Sequence, residues 1–187
     1  MVSTKDAEIA AVAIEYGAVV PFLRSVKTAG DHSTTAEVIT EVLKEYRKNG
    51  KSFDFACCIY PTAPFITADK LQAAGSLLQT TGADSVIPVT DFSFPILRSL
   101  KMDNFSKVSF NWPEFAMSRS QDLPNAYHDC GQFCFIRSEI FLNNKKFLSN
   151  NTVAMVIPNT EVQDIDNEED WKIAEMKYEV LQKMGKI

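Results

Sequence analysis

Two carboxylates spaced two residues apart, Asp164 and Asp166, are the strongest candidates for chemistry in this sequence. In an extended segment, side chains at positions i and i+2 point to the same side. Two carboxylates on one side suit a hard divalent cation such as Mg²⁺, which keeps several waters and shares itself with substrate phosphates. The alternative is an acidic, solvated helix start, because acidic residues continue at Glu168, Glu169 and Asp170.

A polar loop that begins at Arg119 is the second candidate site. It carries a guanidinium at Arg119, a phenol at Tyr127 and an imidazole at His128, and it leads to Gln132 at the start of a predicted strand. Arg119 is suited to hold a carboxylate in a bidentate fashion, although a lone arginine is also common as a surface charge. His128 is suited to act as an acid or base, or to orient a neighbour.

A stiff loop follows the predicted strand Phe53 to Tyr60. Pro61 and Pro64 restrict its backbone, and Tyr60 and Thr62 offer hydroxyl groups. This pattern fits a ligand-binding loop and a plain rigid turn equally well.

The four cysteines predict neither a disulfide framework nor a metal site. None of them forms a Cys-x-x-Cys pair, and a chain of this size and composition does not depend on disulfides. His128, Cys130 and Cys134 lack a fourth ligand and the tight spacing of zinc sites, so zinc is not predicted.

The elements that position these groups alternate between helix and strand in the first half of the chain. Such alternation predicts an α/β fold with a mostly parallel sheet, in which ligands bind beyond the carboxyl ends of the strands. A capping box of Thr34 and Glu37 marks the start of the second helix. The predicted elements are helices at Ala7 to Tyr16, Thr35 to Lys48 and Thr67 to Gln79, and strands at Val19 to Leu23, Phe53 to Tyr60 and Ser85 to Val89.

The second half of the chain has a different pattern. Ile96 to Lys101 and Lys107 to Phe110 predict a hairpin, and strands are predicted at Gln132 to Ile136 and Thr152 to Ile157. Asn167 caps a final helix. Its predicted apolar stripe is Trp171, Ala174, Tyr178 and Leu181. With no repeat or linker visible, residues 1–187 are predicted to form a single domain.

Composition narrows the classes of function. The chain has 187 residues, 45% of them hydrophobic, and a net charge of −5. This charge argues against nucleic acid as the main partner. No apolar run is long enough to span a bilayer, and residues 1–10 do not resemble a secretory signal, so a cytoplasmic protein is expected.

In combination, these segments resemble the sialic acid cytidylyltransferase family. The resemblance runs through nearly the whole chain from Val2-Ser3-Thr4. Tyr60, the run Arg119 to Pro124 and Ala126 to Asp129 point to the branch that acts on pseudaminic acid. The other matching segments are Pro21-Phe22-Leu23-Arg24, Ala29-Gly30-Asp31-His32-Ser33-Thr34-Thr35, Pro61-Thr62-Ala63-Pro64 and Asp164-Ile165-Asp166.

The resemblance implies a Rossmann-like nucleotide-diphospho-sugar transferase fold and an enzyme that joins CTP to a nine-carbon acidic sugar. The products are the CMP-sugar, used in surface glycans such as those on flagellin, and pyrophosphate. The resemblance also implies a homodimer formed through the hairpin insertion at about residues 91–118.

The same resemblance assigns roles to individual residues. Asp164 and Asp166 would be catalytic and hold Mg²⁺, and Arg24 and Thr35 would contact the cytidine half of CTP. The sugar pocket would be lined by Tyr60, Arg98, Arg119, Tyr127, His128 and Gln132, with Arg119 nearest the sugar carboxylate.

One family feature has no counterpart here, a basic Gly-rich loop that cradles the triphosphate after the first strand. The sequence has no Gly-Gly pair, so the resemblance alone implies a chain truncated at its N-terminus by a strand, loop and helix, with little or no cytidylyl transfer of its own. Two alternatives to this function stay open. One is a non-catalytic sugar- or partner-binding remnant of the family, and the other is the same reaction on legionaminic or sialic acid.

Overall fold

Helices and strands alternate along the first half of the computed structural model, which describes residues 1–30 and 32–187. The α/β class predicted from the sequence is confirmed. The first half contains α1 (Ala7–Glu15), α2 (Thr35–Lys48), β1 (Phe55–Ile59), α3 (Ala68–Thr81) and β2 (Ser85–Asp91). The second half contains β3 (Leu100–Met102), β4 (Val108–Phe110), β5 (Tyr127–Asp129), β6 (Phe133–Arg137), α4 (Ser138–Asn144), β7 (Thr152–Val156) and α5 (Glu168–Lys183).

The predicted helix caps are confirmed. The Thr34 hydroxyl accepts a hydrogen bond from the Glu37 amide at 3.2 Å, and the Thr34 amide donates to the Glu37 carboxylate at 2.9 Å. At the start of α5, the Asn167 side chain accepts from the amides of Glu169 and Asp170. These bonds satisfy amides that a helix leaves without partners, so the sequence determines where α2 and α5 begin.

The strand predicted at Val19 to Leu23 is wrong, because this segment forms no regular strand. It makes isolated backbone bonds instead. The Val2 amide donates to the Val19 carbonyl at 3.0 Å, and the Arg24 amide donates to the Thr4 carbonyl at 2.8 Å. Pro21 lies in the middle of the segment and has no amide hydrogen, so it interrupts the ladder that a strand would need.

The chain divides into two compact units. The first comprises Met1–Cys58, Gly75–Val86 and Cys134–Val153, and the second comprises Ile59–Ala74, Ile87–Phe133 and Ala154–Ile187. The single domain predicted for residues 1–187 stays a prediction.

In the first unit, β6 pairs with β1 and with the start of β2. Ser85 and Val86 of β2 lie opposite Ile136 and Phe135 of β6 in an antiparallel register. Arg137, at the end of β6, donates from Nε to the Ala83 carbonyl at 2.7 Å and also contacts the Leu78 carbonyl. The guanidinium thus satisfies carbonyls at and just beyond the end of α3.

In the second unit, the end of β2 pairs with β5 in an antiparallel register, with Thr90 opposite His128. Strand β7 also pairs with β2. A core cluster of Phe65, Ala174 and Leu181 anchors α5. Half of the predicted apolar stripe of α5 is therefore buried, whereas Trp171 and Tyr178 are exposed.

The mostly parallel sheet predicted from the sequence is not confirmed. Among the described residues, the strand pairs with an assigned register, β2–β5, β2–β6 and β3–β4, are all antiparallel. Parallel neighbours need a crossover connection, which is usually an α-helix. No α-helix is assigned between β2 and β6, so the alternating pattern of the first half does not extend to these strands.

The predicted hairpin is confirmed as β3 and β4. The Asp103 carboxylate accepts hydrogen bonds from the amides of Phe105 and Lys107 at 2.8 and 2.9 Å, which fixes the turn. Cross-strand partners lie on the same face of such a pair. Met102 faces Val108, whereas Lys101 faces Ser109, so one face of the hairpin is apolar and the other is polar.

A buried carboxylate, Glu161, fixes the C-terminus within the second unit. Its side chain lies 3.0 Å from Lys70 Nζ and 2.5 Å from Lys186 Nζ. The hydrogen bond from Lys186 and the nearby charge of Lys70 hold the pKa of Glu161 below its ordinary value, against the effect of burial. The charged form of Glu161 is therefore favoured by the fold.

We expect Glu161→Gln to destabilise the protein at pH 7 by about 3 kcal/mol, the lower end of the cost of breaking a buried pair. The lower end applies because Lys186 is partly exposed. A lowered pKa contributes stability above the unfolded value of about 4.3, and this contribution is lost as the pH falls through the folded value. Urea unfolding at pH 7 and near pH 3.5 should show the difference shrinking in acid, and a constant difference would contradict the assignment.

Among the described residues, no helix is both long and apolar enough to cross a membrane.

Candidate active site

The residues predicted to bind the sugar and the metal all lie in the second unit, and those predicted to bind the nucleotide, Arg24 and Thr35, lie in the first. The second-unit residues are Tyr60, Arg98, Arg119, Tyr127, His128, Gln132, Asp164 and Asp166.

A cavity of about 760 Å³ in the second unit brings two of these residues together, Arg98 and His128. Arg98 ends a short turn after β2, and His128 is placed by the pairing of β5 with β2. Aromatic rings line the apolar side, including Phe92 and Phe110. A volume of this size is typical of small-molecule sites, and the guanidinium suits an anionic ligand.

Two contacts orient the exposed His128 ring at this cavity. Its Nδ1 atom lies 2.8 Å from the backbone carbonyl oxygen of Asp129, and its ring is 4.9 Å from the Phe92 ring. A carbonyl can only accept, so Nδ1 carries the proton in this hydrogen bond. In the neutral imidazole, Nε2 is then the acceptor.

Arg119 is exposed and does not line the cavity, although its neighbour Ser120 does. Its Nε atom lies 3.4 Å from the Asp122 carboxylate. Exposed pairs of this kind contribute little, so the contact does not lock the guanidinium in place. Tyr127 is exposed in β5 opposite Asp91.

Gln132 is fully buried, with 0% of its surface exposed. Its Nε2 atom donates to the Glu161 carbonyl at 2.8 Å, and its backbone carbonyl accepts from the Tyr60 amide at 2.9 Å. Among the described residues, its buried Oε1 atom has no hydrogen-bond partner. The structure thus joins Gln132 to Tyr60 through the backbone, and a direct contact of either side chain with a sugar stays a prediction.

The Asp164 carboxylate packs against the backbone of Gly131. A β-carbon built on Gly131 would lie 2.9 Å from Asp164 Oδ2. Asp164 is an exposed residue, but its carboxylate is partly desolvated by the surrounding protein, which raises its pKa, and the negative charges of Asp166, Asp129 and Asp170 raise it further. A carboxylate crowded by like charges in this way is suited to a cation that neutralises them.

These carboxylates fit a divalent cation of the Mg²⁺ type. Within residues 1–30 and 32–187, no cluster of three or more His, Cys, Asp or Glu side chains has the geometry of a metal site. Magnesium usually takes one or two carboxylates and completes its shell with water and substrate phosphates, so a two-carboxylate site does not need such a cluster. Asp164 and Asp166 would supply the protein ligands.

The two residues predicted to bind cytidine occupy different settings in the first unit. Arg24 is half-buried, and its Nε atom donates to the Ser3 hydroxyl at 3.1 Å. A second guanidinium nitrogen donates to the Ser3 carbonyl. Thr35 is the first residue of α2. Asp31, part of the same predicted motif, lies outside the described residues.

Sequence reasoning missed Gly131 and Asp129, which adjoin the metal candidates. The Asp129 carboxylate accepts from the Gly131 amide at 2.8 Å. An Asp followed two residues later by Gly is a known turn signal, because the side chain bonds the backbone and glycine tolerates positive φ. That signal could have identified the turn, but not its contact with Asp164.

Comparison with solved structures identifies the class of fold. The chain is similar to the structure of CMP:2-keto-3-deoxy-manno-octonic acid synthetase complexed with CTP. The TM-score is 0.62 at 10% sequence identity, and the match covers 97% of this chain and 80% of the other. At this identity the similarity establishes the fold alone, in agreement with the α/β class.

Comparison with curated proteins identifies the family. The chain is 31% identical over 180 residues to a pseudaminic acid cytidylyltransferase of Campylobacter jejuni serotype O:2, covering 96% of this chain and 78% of that protein. It is also 29% identical over 189 residues to the CMP-N,N'-diacetyllegionaminic acid synthase of Legionella pneumophila, covering 97% of this chain and 78% of that protein. No protein-family model matches the chain. The chain belongs to the pseudaminic acid cytidylyltransferase family.

Proposed function

We propose that this protein transfers a cytidylyl group from CTP to a nonulosonic acid, most readily pseudaminic acid. The observation that carries this proposal is the 31% identity to a pseudaminic acid cytidylyltransferase across 96% of the chain. The cavity that contains Arg98 and His128 supports it, because its size and charge suit an acidic sugar.

In this reaction the anomeric hydroxyl oxygen of the sugar attacks the α-phosphorus of CTP. The new bond joins that oxygen to the α-phosphorus, the bond to the β-phosphate oxygen breaks, and pyrophosphate leaves while the hydroxyl loses its proton. Negative charge builds up on the phosphate oxygens during this displacement. The protein must therefore orient both substrates and supply positive charge.

The metal end of the site consists of Asp164 and Asp166. A bound Mg²⁺ would neutralise charge on the phosphate oxygens. The two carboxylates would hold this cation in place. The start of α5 lies just beyond them and adds the positive end of a helix dipole. Arg24 and Thr35 contact the cytidine half of CTP in this proposal.

The sugar end of the site consists of the cavity and the loop beside it. Arg98 and His128 line the cavity, and His128 presents Nε2 as an acceptor to a sugar hydroxyl. Arg119 reaches from the neighbouring loop to the sugar carboxylate. Tyr60, Tyr127 and Gln132 complete this end by positioning the loop and the backbone around it.

Legionaminic acid is the second candidate substrate. The Legionella relative is 29% identical over 189 residues, close to the 31% of the pseudaminic acid relative, so overall similarity separates the two sugars weakly. Competition between the two acids for a limiting supply of CTP, with the CMP-sugars separated by mass spectrometry and chromatography, tests the choice. We expect CMP-pseudaminic acid to predominate, and a preference for CMP-legionaminic acid would transfer the assignment.

We further propose that the protein forms a homodimer through the β3–β4 hairpin. Met102 and Val108 share one face of the hairpin and are exposed, and Leu100 on the same face is exposed at the rim of the cavity. An exposed apolar face of this kind is common at protein interfaces.

We expect Met102→Glu to weaken the dimer at least about tenfold, since it adds a desolvated charge to an apolar contact and about 1.4 kcal/mol is enough for that change. Lys101→Glu on the opposite face is the matched control and should leave the dimer intact. Light scattering after size-exclusion chromatography measures the molar mass, and a monomeric parent protein would refute the dimer.

A further inference from the structure

Gly131 lies in the short connection from β5 to β6 and is held in one conformation. Its φ of +62° belongs to the left-handed region, and its amide donates to the Asp129 carboxylate at 2.8 Å. The residues on either side, Cys130 and Gln132, are buried. The backbone at Gly131 therefore cannot move without disturbing two buried neighbours.

The space beside the Cα of Gly131, where other residues carry a side chain, is occupied by the carboxylate of Asp164. A β-carbon at this position would lie 2.9 Å from Oδ2, 3.0 Å from Cγ and 3.3 Å from Oδ1 of Asp164. The 2.9 Å contact is shorter than real β-carbon contacts and the other two are tight, so the end of the Asp164 side chain would have to shift. The other glycines with positive φ have open space at the same place, namely Gly17, Gly50, Gly82 and Gly185.

The geometry points to Gly131 as a positioning residue that seats the Asp164 carboxylate for its divalent cation. This inference rests on the proposed function for the identity of the cation. Mg²⁺ demands near-ideal geometry at about 2.0–2.1 Å from each ligand, so a displaced carboxylate oxygen is a poorer ligand. Residues that orient metal ligands typically change metal affinity by about 10–100-fold when altered.

A matched pair of variants distinguishes the loss of the Asp164 position from the general strain of placing a side chain at positive φ. Both Gly131→Ala and Gly82→Ala place a β-carbon on a left-handed residue, but only the first meets a carboxylate. Each should lower the melting temperature measured in EDTA. Paramagnetic broadening of backbone NMR signals by Mn²⁺ alone, without substrates, then reports the metal affinity at Asp164.

We expect Gly131→Ala to need about 10–100-fold more Mn²⁺ for the same broadening at Asp164, and Gly82→Ala to match the parent protein. Equal Mn²⁺ affinity in the two variants would overturn the inference, as would a parent protein with no broadening at Asp164. Should Gly131→Ala fail to fold, Gly131→Asn with Gly82→Asn repeats the comparison, because Asn tolerates positive φ.

Failure of the inference and failure of the proposed function give different results. A parent protein that binds Mn²⁺ at Asp164 but releases no pyrophosphate from CTP would contradict the proposed function and leave the positioning role of Gly131 unaffected. A parent protein that turns over normally, together with an unchanged Mn²⁺ affinity in Gly131→Ala, would contradict the positioning role of Gly131 and support the proposed function.

Discussion

Asp166→Asn is expected to lower kcat for cytidylyl transfer by roughly 10²–10³-fold, because metal stabilisation of phosphate charge is worth several kcal/mol and 1.36 kcal/mol is tenfold in rate. The fold should survive, since the Asp166 side chain is exposed. Its amide donates to the Asp170 carboxylate at 3.1 Å, a backbone contact that the substitution leaves in place. Initial rates of pyrophosphate release at several Mg²⁺ concentrations measure the effect.

Glu168→Gln is the matched control for this prediction. It removes one exposed carboxylate at the start of the same helix, so it changes the local charge equally without touching the proposed ligands. We expect near-parental turnover from Glu168→Gln and an unchanged circular dichroism melt for both variants. Normal turnover by Asp166→Asn at low Mg²⁺ would contradict the metal site. The acidic residues would then be only the solvated start of a helix.

Arg119→Ala is expected to raise KM for the sugar acid by roughly 10–100-fold and to leave KM for CTP within about threefold. A charge-assisted, bidentate contact with a carboxylate contributes about 1.5–3 kcal/mol, which gives the expected range. The pair with Asp122 is exposed at 3.4 Å and costs little to break, so the guanidinium can turn to the sugar. Steady-state kinetics with each substrate varied in turn provide the two constants.

Two further variants decide where the sugar carboxylate lies. Lys107→Ala removes an exposed cation from the hairpin and controls for the loss of one positive charge. Arg98→Ala removes the guanidinium that lines the cavity. An effect on the sugar KM from Arg98→Ala alone would move the carboxylate into the cavity. Equal effects of Arg119→Ala on both substrates would assign Arg119 to the nucleotide or to the fold.

Local signals in the sequence predicted local structure well. The Thr34–Glu37 capping box and the Asn167 cap formed as expected, because these bonds join residues close in the chain. The hairpin around Asp103 formed for the same reason. The direction of β6 depends on distant pairing with β2, and no periodicity within Phe133–Arg137 carries that information. The wrong strand prediction at Val19 to Leu23 is a different kind of error. The missing amide of Pro21 was visible in the sequence and already argued against a strand.

The sequence and its family resemblance supply candidate site residues, but they do not supply the arrangement of those residues. The sequence identified Arg98 and His128, but only the fold places both around one cavity with Phe92. Gln132 also donates a hydrogen bond to the Glu161 carbonyl, a contact that the sequence did not indicate. The contact of Gly131 with Asp164 joins segments far apart in the chain. Such contacts are decided by tertiary packing, which no local pattern encodes.

The most direct test of the central claim is the stoichiometry of the reaction with the parent protein. Incubation with CTP, pseudaminic acid and Mg²⁺ should release one pyrophosphate for each CMP-pseudaminic acid formed, measured by a coupled phosphate assay and by mass spectrometry. Omission of either substrate should abolish both products. Pyrophosphate release without the sugar would contradict the account. The absence of any CMP-sugar at saturating CTP would also contradict it, and is the result expected of a non-catalytic remnant of the family.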